Sequence, residues 1–308
     1  MSKPKVSVCM PLYNTEEAYL REAVSGILNQ SFSDFEFLIV NDSPQNTKLD
    51  AIIGSFDDKR IKYSVNAENL GIARSRNLLL DKAEGEYIAI MDHDDISLPE
   101  RLAKQVDFLD CHQDIGVVGC CYQRIPDGKI KKMPITDIDI KYSLFTRCAL
   151  LHPSAMIRKS ILAENQIRYN QEYTPAEDYA LWCSLVPFTR FANLPDILFR
   201  YRQHSGNTSK IQRNKMKEST QNIASLYKEN NKALWTAARK NIVTVYRLKL
   251  FSFLTLISAK EYHNRRTYNL LGFIPLFWRS KTSQDKPFSF LSSLPGCKIS
   301  VKMRYLKK

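Results

Sequence analysis

The chain has 308 residues, 44% of them hydrophobic and 25% charged, which suits one large α/β domain with an appended lobe and argues against a disordered or fibrous protein. Its net charge of +13 is concentrated at one end: residues 209–308 carry 21 Lys and Arg against 4 Asp and Glu, whereas residues 1–208 carry 24 against 28. The seven cysteines are odd in number and lack a C-x-x-C pair, which argues against a disulfide frame or a zinc site and for reduced, buried thiols in a cytoplasmic protein.

Met1 to Lys5 lead straight into a strand-like run too short for a secretory core. Val6–Met10 is the first predicted strand. Thr15 and Glu16 then open a helix with Ala23, Val24, Ile27 and Leu28 on one face. Phe35–Val40 and Ile61–Val65 are the next strands, Gly71 leads into a helix carrying Ile72, Ala73, Leu78 and Leu79, and Tyr87–Met91 is the fourth strand. This alternation predicts a parallel α/β sheet. Ligands of such sheets bind beyond the carboxyl ends of the strands. The candidate site is therefore Pro11-Leu12-Tyr13-Asn14, Asn41-Asp42-Ser43, Asn69-Leu70-Gly71 and Asp92-His93-Asp94-Asp95.

Residues 111–208 mix strands (Val117–Tyr122, Leu198–Tyr201) with short helices. Beyond Ser209 the composition turns to basic amphipathic helix, with Ile223, Leu226, Tyr227, Leu234, Trp235, Ala238, Ile242, Val245 and Tyr246 at helical spacing. The expected organisation is 1–110, 111–208 and a basic helical extension over 209–308. The longest apolar runs there, Leu250–Ala259 and Leu270–Trp278, are shorter than the roughly 18–20 residues of a bilayer span.

Clustered carboxylates after Tyr87–Met91 repel one another unless a cation neutralises them, and hard oxygen ligands suit Mg²⁺ or Mn²⁺. The same residues also read as a turn and helix start, since Asp95-Ile96-Ser97-Leu98-Pro99-Glu100 has capping character. Asn69, Arg74, Arg76 and Asn77 lie where a loop enters a helix, a place suited to an anionic ligand or to a solvated, carboxylate-paired face. Glu177-Asp178 opens a helix, where acidic residues also serve as ordinary caps.

Together these segments resemble family 2 of the glycosyltransferases, inverting enzymes with the A-type fold. The resemblance runs in one register from Val6–Asn14 through Gln30–Glu36, Asn41-Asp42-Ser43, Asn69–Asn77, Gly85-Glu86-Tyr87-Ile88 and Asp92–Asp95 to Glu177-Asp178. It implies that Asp42 accepts a hydrogen bond from the nucleotide base, usually uracil, with Pro11, Tyr13 and Asn14 lining the same pocket. Asn41 departs from the Asp often found there. The resemblance further implies that Asn69 and Arg76 contact the donor, that Asp94 and Asp92 bind the divalent metal, Mn²⁺ or Mg²⁺, and that Asp95 orients the donor sugar.

Asp178 is implied to be the catalytic base beside Glu177. Tyr201-Arg202-Gln203-His204 matches a closing loop whose Arg202 and His204 neutralise the diphosphate, and His152-Pro153-Ser154 matches a position near the acceptor. The implied partners are a nucleotide-sugar donor, usually a UDP sugar, and a glycan or lipid-linked glycan acceptor of bacterial surface polysaccharide synthesis. Residues 268–276 resemble tails of such enzymes, and the basic end suits docking on an anionic membrane surface. A nucleic-acid binder is disfavoured by the acidic body and the lack of a binding motif. A silent scaffold would have lost the acidic site residues. A nicotinamide dehydrogenase lacks its G-x-G-x-x-G, and a processive synthase would carry membrane spans and Q-x-x-R-W.

Overall fold

The computed structural model describes residues 3–239 and five strand segments beyond them. In chain order the first part comprises β1 (Val6–Leu12), α1 (Glu17–Leu28), β2 (Phe35–Asn41), α2 (Lys48–Gly54), β3 (Ile61–Val65), α3 (Ile72–Lys82), β4 (Tyr87–Ile90), β5 (Ile96–Ser97) and α4 (Arg101–Cys111). It continues with β6 (Ile115–Ile125), β7 (Ile130–Lys131), α5 (Asp137–Ser143), β8 (Met156–Arg158), α6 (Lys159–Glu164), α7 (Glu177–Leu185) and β9 (Arg190–Arg202).

These strands make one sheet in the order β3-β2-β1-β4-β8-β6-β9-β5, with β7 paired to β6. β1 to β4 run parallel, as the βα alternation predicts. The sheet then becomes mixed, with β8 antiparallel to both β4 and β6. β9 runs parallel to β6 and antiparallel to β5. Every residue of β1 and β2 is buried, the pattern of strands covered on both faces. α1 buries Leu20, Ala23, Val24 and Ile27, one face of a 3.6-residue repeat. Full burial of such aliphatic side chains contributes about 1.5–3 kcal/mol each.

Polar residues inside these apolar runs are all tied down. Ser7 donates to Glu36 and accepts the Gly85 N–H. A Cβ on Gly85 would lie 2.5 Å from the Ser7 nitrogen, so no larger residue fits this approach of β4 to β1. Gln30 donates to the Gly26 and Leu98 carbonyls and to Ser97, and accepts the Leu102 N–H. The Gln30–Glu36 motif is thus a splint between α1 and the segment after the acidic cluster. Asn41, fully buried, donates to Asp50, which also accepts from Tyr63. An Asp at 41 would set two carboxylates face to face; the amide gives Asp50 a donor instead.

The chain divides into two compact units, Met1–Leu226 and Tyr227–Lys308. Helices α8 (Thr208–Ile211), α9 (Arg213–Asn230) and α10 (Lys232–Arg239) agree with the helical periodicity expected after residue 209, although Leu226 is largely exposed while Ile223 and Tyr227 are buried. From Ile242 onward that expectation of a helical extension is corrected. β10 (Ile242–Leu250), β11 (Leu254–Glu261), β12 (Arg265–Leu270), β13 (Ile274–Ser280) and β14 (Cys297–Tyr305) form an antiparallel sheet in the order β13-β12-β11-β10-β14. The run Ile242-Val243-Thr244-Val245 is β-branched throughout, and such side chains pack better on a pleated strand than in a helix. Residues 251–253 and 271–273 of the two apolar runs, and the side chains beyond Arg239 that carry the expected membrane contact, lie outside the described residues. No helix among the described residues is long and apolar enough to cross a membrane.

Candidate active site

A cleft of about 920 Å³ opens at the carboxyl ends of β1, β2 and β4 and is closed on its other side by β6, the segment 148–153, the start of α7 and the end of β9. Pro11, Tyr13, Asn14, Asp42 and Asn69 line the first wall, together with Arg76, Asp92 and Asp94. Glu177, Asp178, His152 and His204 reach it from the other elements. The cleft brings together residues separated by more than a hundred positions in the chain.

Asp42 is buried and pins the loop that starts α3. Its Oδ1 accepts from Asn66 (2.7 Å) and the Leu70 N–H (2.8 Å), and its Oδ2 accepts the Gly71 N–H (2.9 Å). Asn69 donates to the Asp42 carbonyl. Gly71 stands at φ 81°, a left-handed conformation glycine adopts freely. Asn14, also left-handed at φ 43°, is fixed by its N–H to Ser43. The expected base-reading carboxylate is therefore also the clamp of its own loop, with spare lone pairs on Oδ2.

Arg76 is buried between two carboxylates. It donates to Glu177 (2.7 Å) and Asp92 (3.2 Å), and its face lies over the Tyr169 ring. Arg76 thus has an internal role, joining α3, the 92–95 loop and α7, while it also lines the cleft where the donor contact is expected. Glu177 is likewise buried and its Oε1 is held by Arg76, so of the acidic pair Asp178 is the one more open to the cleft. Burial, then the neighbouring Glu177 charge, raises the Asp178 carboxyl to about 6, against the Tyr179 N–H that holds its ionised form.

The four residues 92–95 divide sharply. The side chains of Asp92 and Asp94 are 27% and 16% exposed at the cleft. Asp95 is fully buried; its Oδ1 accepts the Arg202 N–H (2.7 Å) and its Oδ2 has no hydrogen-bond partner. Asp95 therefore does not face the donor space, and burial reinforced by Asp94 and Asp92 pushes its carboxyl well above the usual range. Arg202 also departs from expectation. Its guanidinium donates to the Asp94 carbonyl and to Glu22 and lies over the Tyr19 ring, so it fastens the end of β9 to the acidic loop. His204 accepts the Gly206 N–H at Nδ1, which leaves the Nε2 proton for Asp94 Oδ2 at 2.8 Å.

Sequence reasoning missed three supports. His93, given no role, meets Thr15 Oγ1 at 2.6 Å and links the β1–α1 loop to the acidic loop. Arg101 is fully buried and donates to the Ile90 and Ala155 carbonyls and to Gln105. Burial lowers its guanidinium to about 10. Asn77 clamps the Tyr169 backbone by both its groups. His152 is buried against Tyr169, and burial, with the Arg76 charge behind it, pushes its imidazole well below the usual histidine range. A buried arginine after a Pro-Glu pair has no periodic signature, and only the structure reveals it.

Residues 7–166 match the family model described as Glycosyl transferase family 2. An uncharacterized glycosyltransferase of Methanocaldococcus jannaschii is 36% identical over 210 residues, 66% of this chain and 72% of that protein. The amylovoran biosynthesis glycosyltransferase AmsE of Erwinia amylovora is 28% identical over 211 residues, 66% and 78% of the two chains. Among solved structures, S. aureus TarS 1–349 in complex with UDP-GlcNAc is similar with a TM-score of 0.62 and 22% identity over 77% of this chain and 70% of that one. The mannosyltransferase PcManGT of Pyrobaculum calidifontis, in complex with GDP-Man and Mn²⁺, gives a TM-score of 0.53 at 18% identity, over 77% and 73%. At these identities the two structures speak to the fold.

Proposed function

The chain belongs to glycosyl transferase family 2 and has the A-type glycosyltransferase fold, and on that footing we propose that it moves a hexosyl or N-acetylhexosaminyl unit from a UDP sugar to a glycan hydroxyl with inversion. The observation that carries this reading is that Asp178, a carboxyl raised to about 6, opens into the same cleft as Asp92 and Asp94. In the reaction, Asp178 takes the proton of the acceptor hydroxyl. The acceptor oxygen bonds to the anomeric carbon as the bond from that carbon to the diphosphate breaks, and the diphosphate leaves with the electron pair. Glu177 and Arg76 hold Asp178 and Asp92 in register.

A divalent cation fits the cleft. Among the described residues six carboxylates line it (Glu16, Asp42, Asp92, Asp94, Glu177, Asp178) against one arginine, Arg76, which is already ion-paired. A diphosphate entering such a lining needs a counterion. Asp94 would hold the metal with Asp92 beside it, and His204 would orient the Asp94 carboxylate. No group of three potential ligands occurs among the described residues, so waters and the donor's phosphates would have to complete the coordination of an ion held there. When bound, the metal stabilises charge on the departing diphosphate. Incubation with a panel of UDP sugars and Mn²⁺ tests the reading: one or a few should be consumed, by transfer or slow hydrolysis, and the absence of turnover and of UDP binding would overturn it.

The likeness to an amylovoran enzyme supports a bacterial surface polysaccharide as the product. The basic residues after 209 support docking on an anionic membrane surface presenting a lipid-linked glycan, since each Lys or Arg near such a surface contributes about 1 kcal/mol. The full chain should co-sediment with anionic liposomes and be released by salt. Equal recovery in the supernatant with and without anionic lipid at low salt would end this part of the reading.

A further inference from the structure

The two walls of the cleft differ in chemistry. The wall that carries Asp92 and Asp94 is acidic and polar. The lining that faces it, which includes Asp178, offers the half-buried Tyr122, Met133, Cys148, Leu151, Tyr201 and Met216 beside the uncharged polar Thr174 and Gln212. Met133 lines the same cleft as Tyr122, and its N–H donates to the sulfur of the residue before Tyr122, Cys121, at 3.4 Å. Tyr122 meets Tyr201 edge-on with ring centroids 6.0 Å apart. Among the described residues no lysine or arginine lines this wall, Arg124 and Arg147 near Tyr122 standing outside the lining, and the one arginine that lines the cleft, Arg76, is bound by Asp92 and Glu177.

We infer that the reacting unit of the acceptor is an uncharged sugar, seated with its apolar C–H face on Tyr122 and Met133 and its nucleophilic hydroxyl at Asp178. The inference rests on the glycosyltransferase reading and adds the chemical class of the second substrate. A uronate or a phosphate-bearing sugar in this place would set its charge beside the ionised Asp178 with no lysine or arginine of the described lining free to pair it, the metal being engaged by Asp94 and the diphosphate, and an unpaired buried charge is expensive. An uncharged pyranose meets what this side offers: apolar contact from Tyr122, Met133 and Leu151, with uncharged hydrogen-bonding groups such as Thr174 and Gln212 in the same lining. Charge farther along the acceptor, outside the cleft, is unaffected by this argument.

Matched pairs of methyl glycosides test the inference, each neutral hexoside of the gluco, galacto and manno series set against its 6-carboxylate. Binding to the full chain is followed by ligand-observed NMR in the presence of UDP and Mn²⁺. At least one neutral glycoside should bind, about tenfold or more tighter than its carboxylate partner. Tyr122→Ala should weaken it about threefold to tenfold, and Met133→Lys, which adds a cation to the wall, should narrow or invert the gap. A carboxylate that binds as tightly as its neutral partner would overturn the inference, and so would the failure of every neutral glycoside to bind. Calorimetry with UDP on the same sample separates the two levels. If UDP binds and the neutral sugars do not, only the acceptor class falls; if UDP does not bind, the glycosyltransferase reading beneath it falls as well.

Discussion

Replacing Asp178 by asparagine is expected to lower sugar transfer by about 10²–10⁴-fold, the usual contribution of a positioned base, while UDP affinity stays nearly unchanged. The amide has nearly the shape of the carboxylate and can still accept the Tyr179 N–H, so α7 should start as before. What it cannot do is take a proton. The pH profile carries the same information. Burial and Glu177 raise Asp178 to about 6, and a base works only when ionised, so wild-type turnover should climb as pH rises through about 6 and level off above it. The asparagine variant should show no such limb. Glu177→Gln removes the neighbouring negative charge and should move the limb to lower pH. Loss of UDP binding in Asp178→Asn, measured by calorimetry, would recast Asp178 as a donor-binding or structural residue.

Asp94→Ala is expected to abolish turnover to below about a thousandth of wild type, in keeping with several kcal/mol of leaving-group stabilisation, and excess EDTA should do the same to the intact enzyme. Asp94 is partly open to the cleft, so its loss should weaken Mn²⁺ binding without changing the melting temperature. The adjacent carboxylate gives the contrast. Asp95 is fully buried and holds the Arg202 N–H, so Asp95→Ala should destabilise the fold, leaving a buried N–H without its partner at a cost of about 1–3 kcal/mol. Full turnover by verified metal-free enzyme would remove the metal from the mechanism. Equal melting shifts for the two variants would remove the division of labour between neighbours.

That division is what the sequence could not disclose. Strong periodicity made β1 to β4 and their helices legible, because a strand buried on both faces and a helix with one apolar stripe leave unmistakable patterns in Val6–Met10, Phe35–Val40 and the Ala23–Leu28 face. The strand ends named the cleft for the same reason. But Asp92, Asp94 and Asp95 are chemically alike, and only the path of β9, arriving from residues 190–202, decides which carboxylate is buried. Arg76 reads as a ligand contact from sequence because its two carboxylate partners lie 16 and 101 positions away. The strands after Ile242 were hidden by a helical spacing that a β-branched run overrode.

The fastening of the end of β9 to the acidic loop bears on how the enzyme is made. On the ribosome, Asp94 and Asp95 emerge more than a hundred residues before Arg202 and His204. Until then Asp95 has no main-chain donor, and β9, which lies between β6 and β5, has not entered the sheet. The nascent chain through residue 166 already spans the residues that match the family model, yet it holds neither Asp178 nor the segment that bears on Asp94, Arg202 to His204. On the roles proposed for Asp178 and Asp94, catalytic competence would wait until the end of β9 has joined the sheet, so a chain stalled or ended before it would not consume nucleotide sugar.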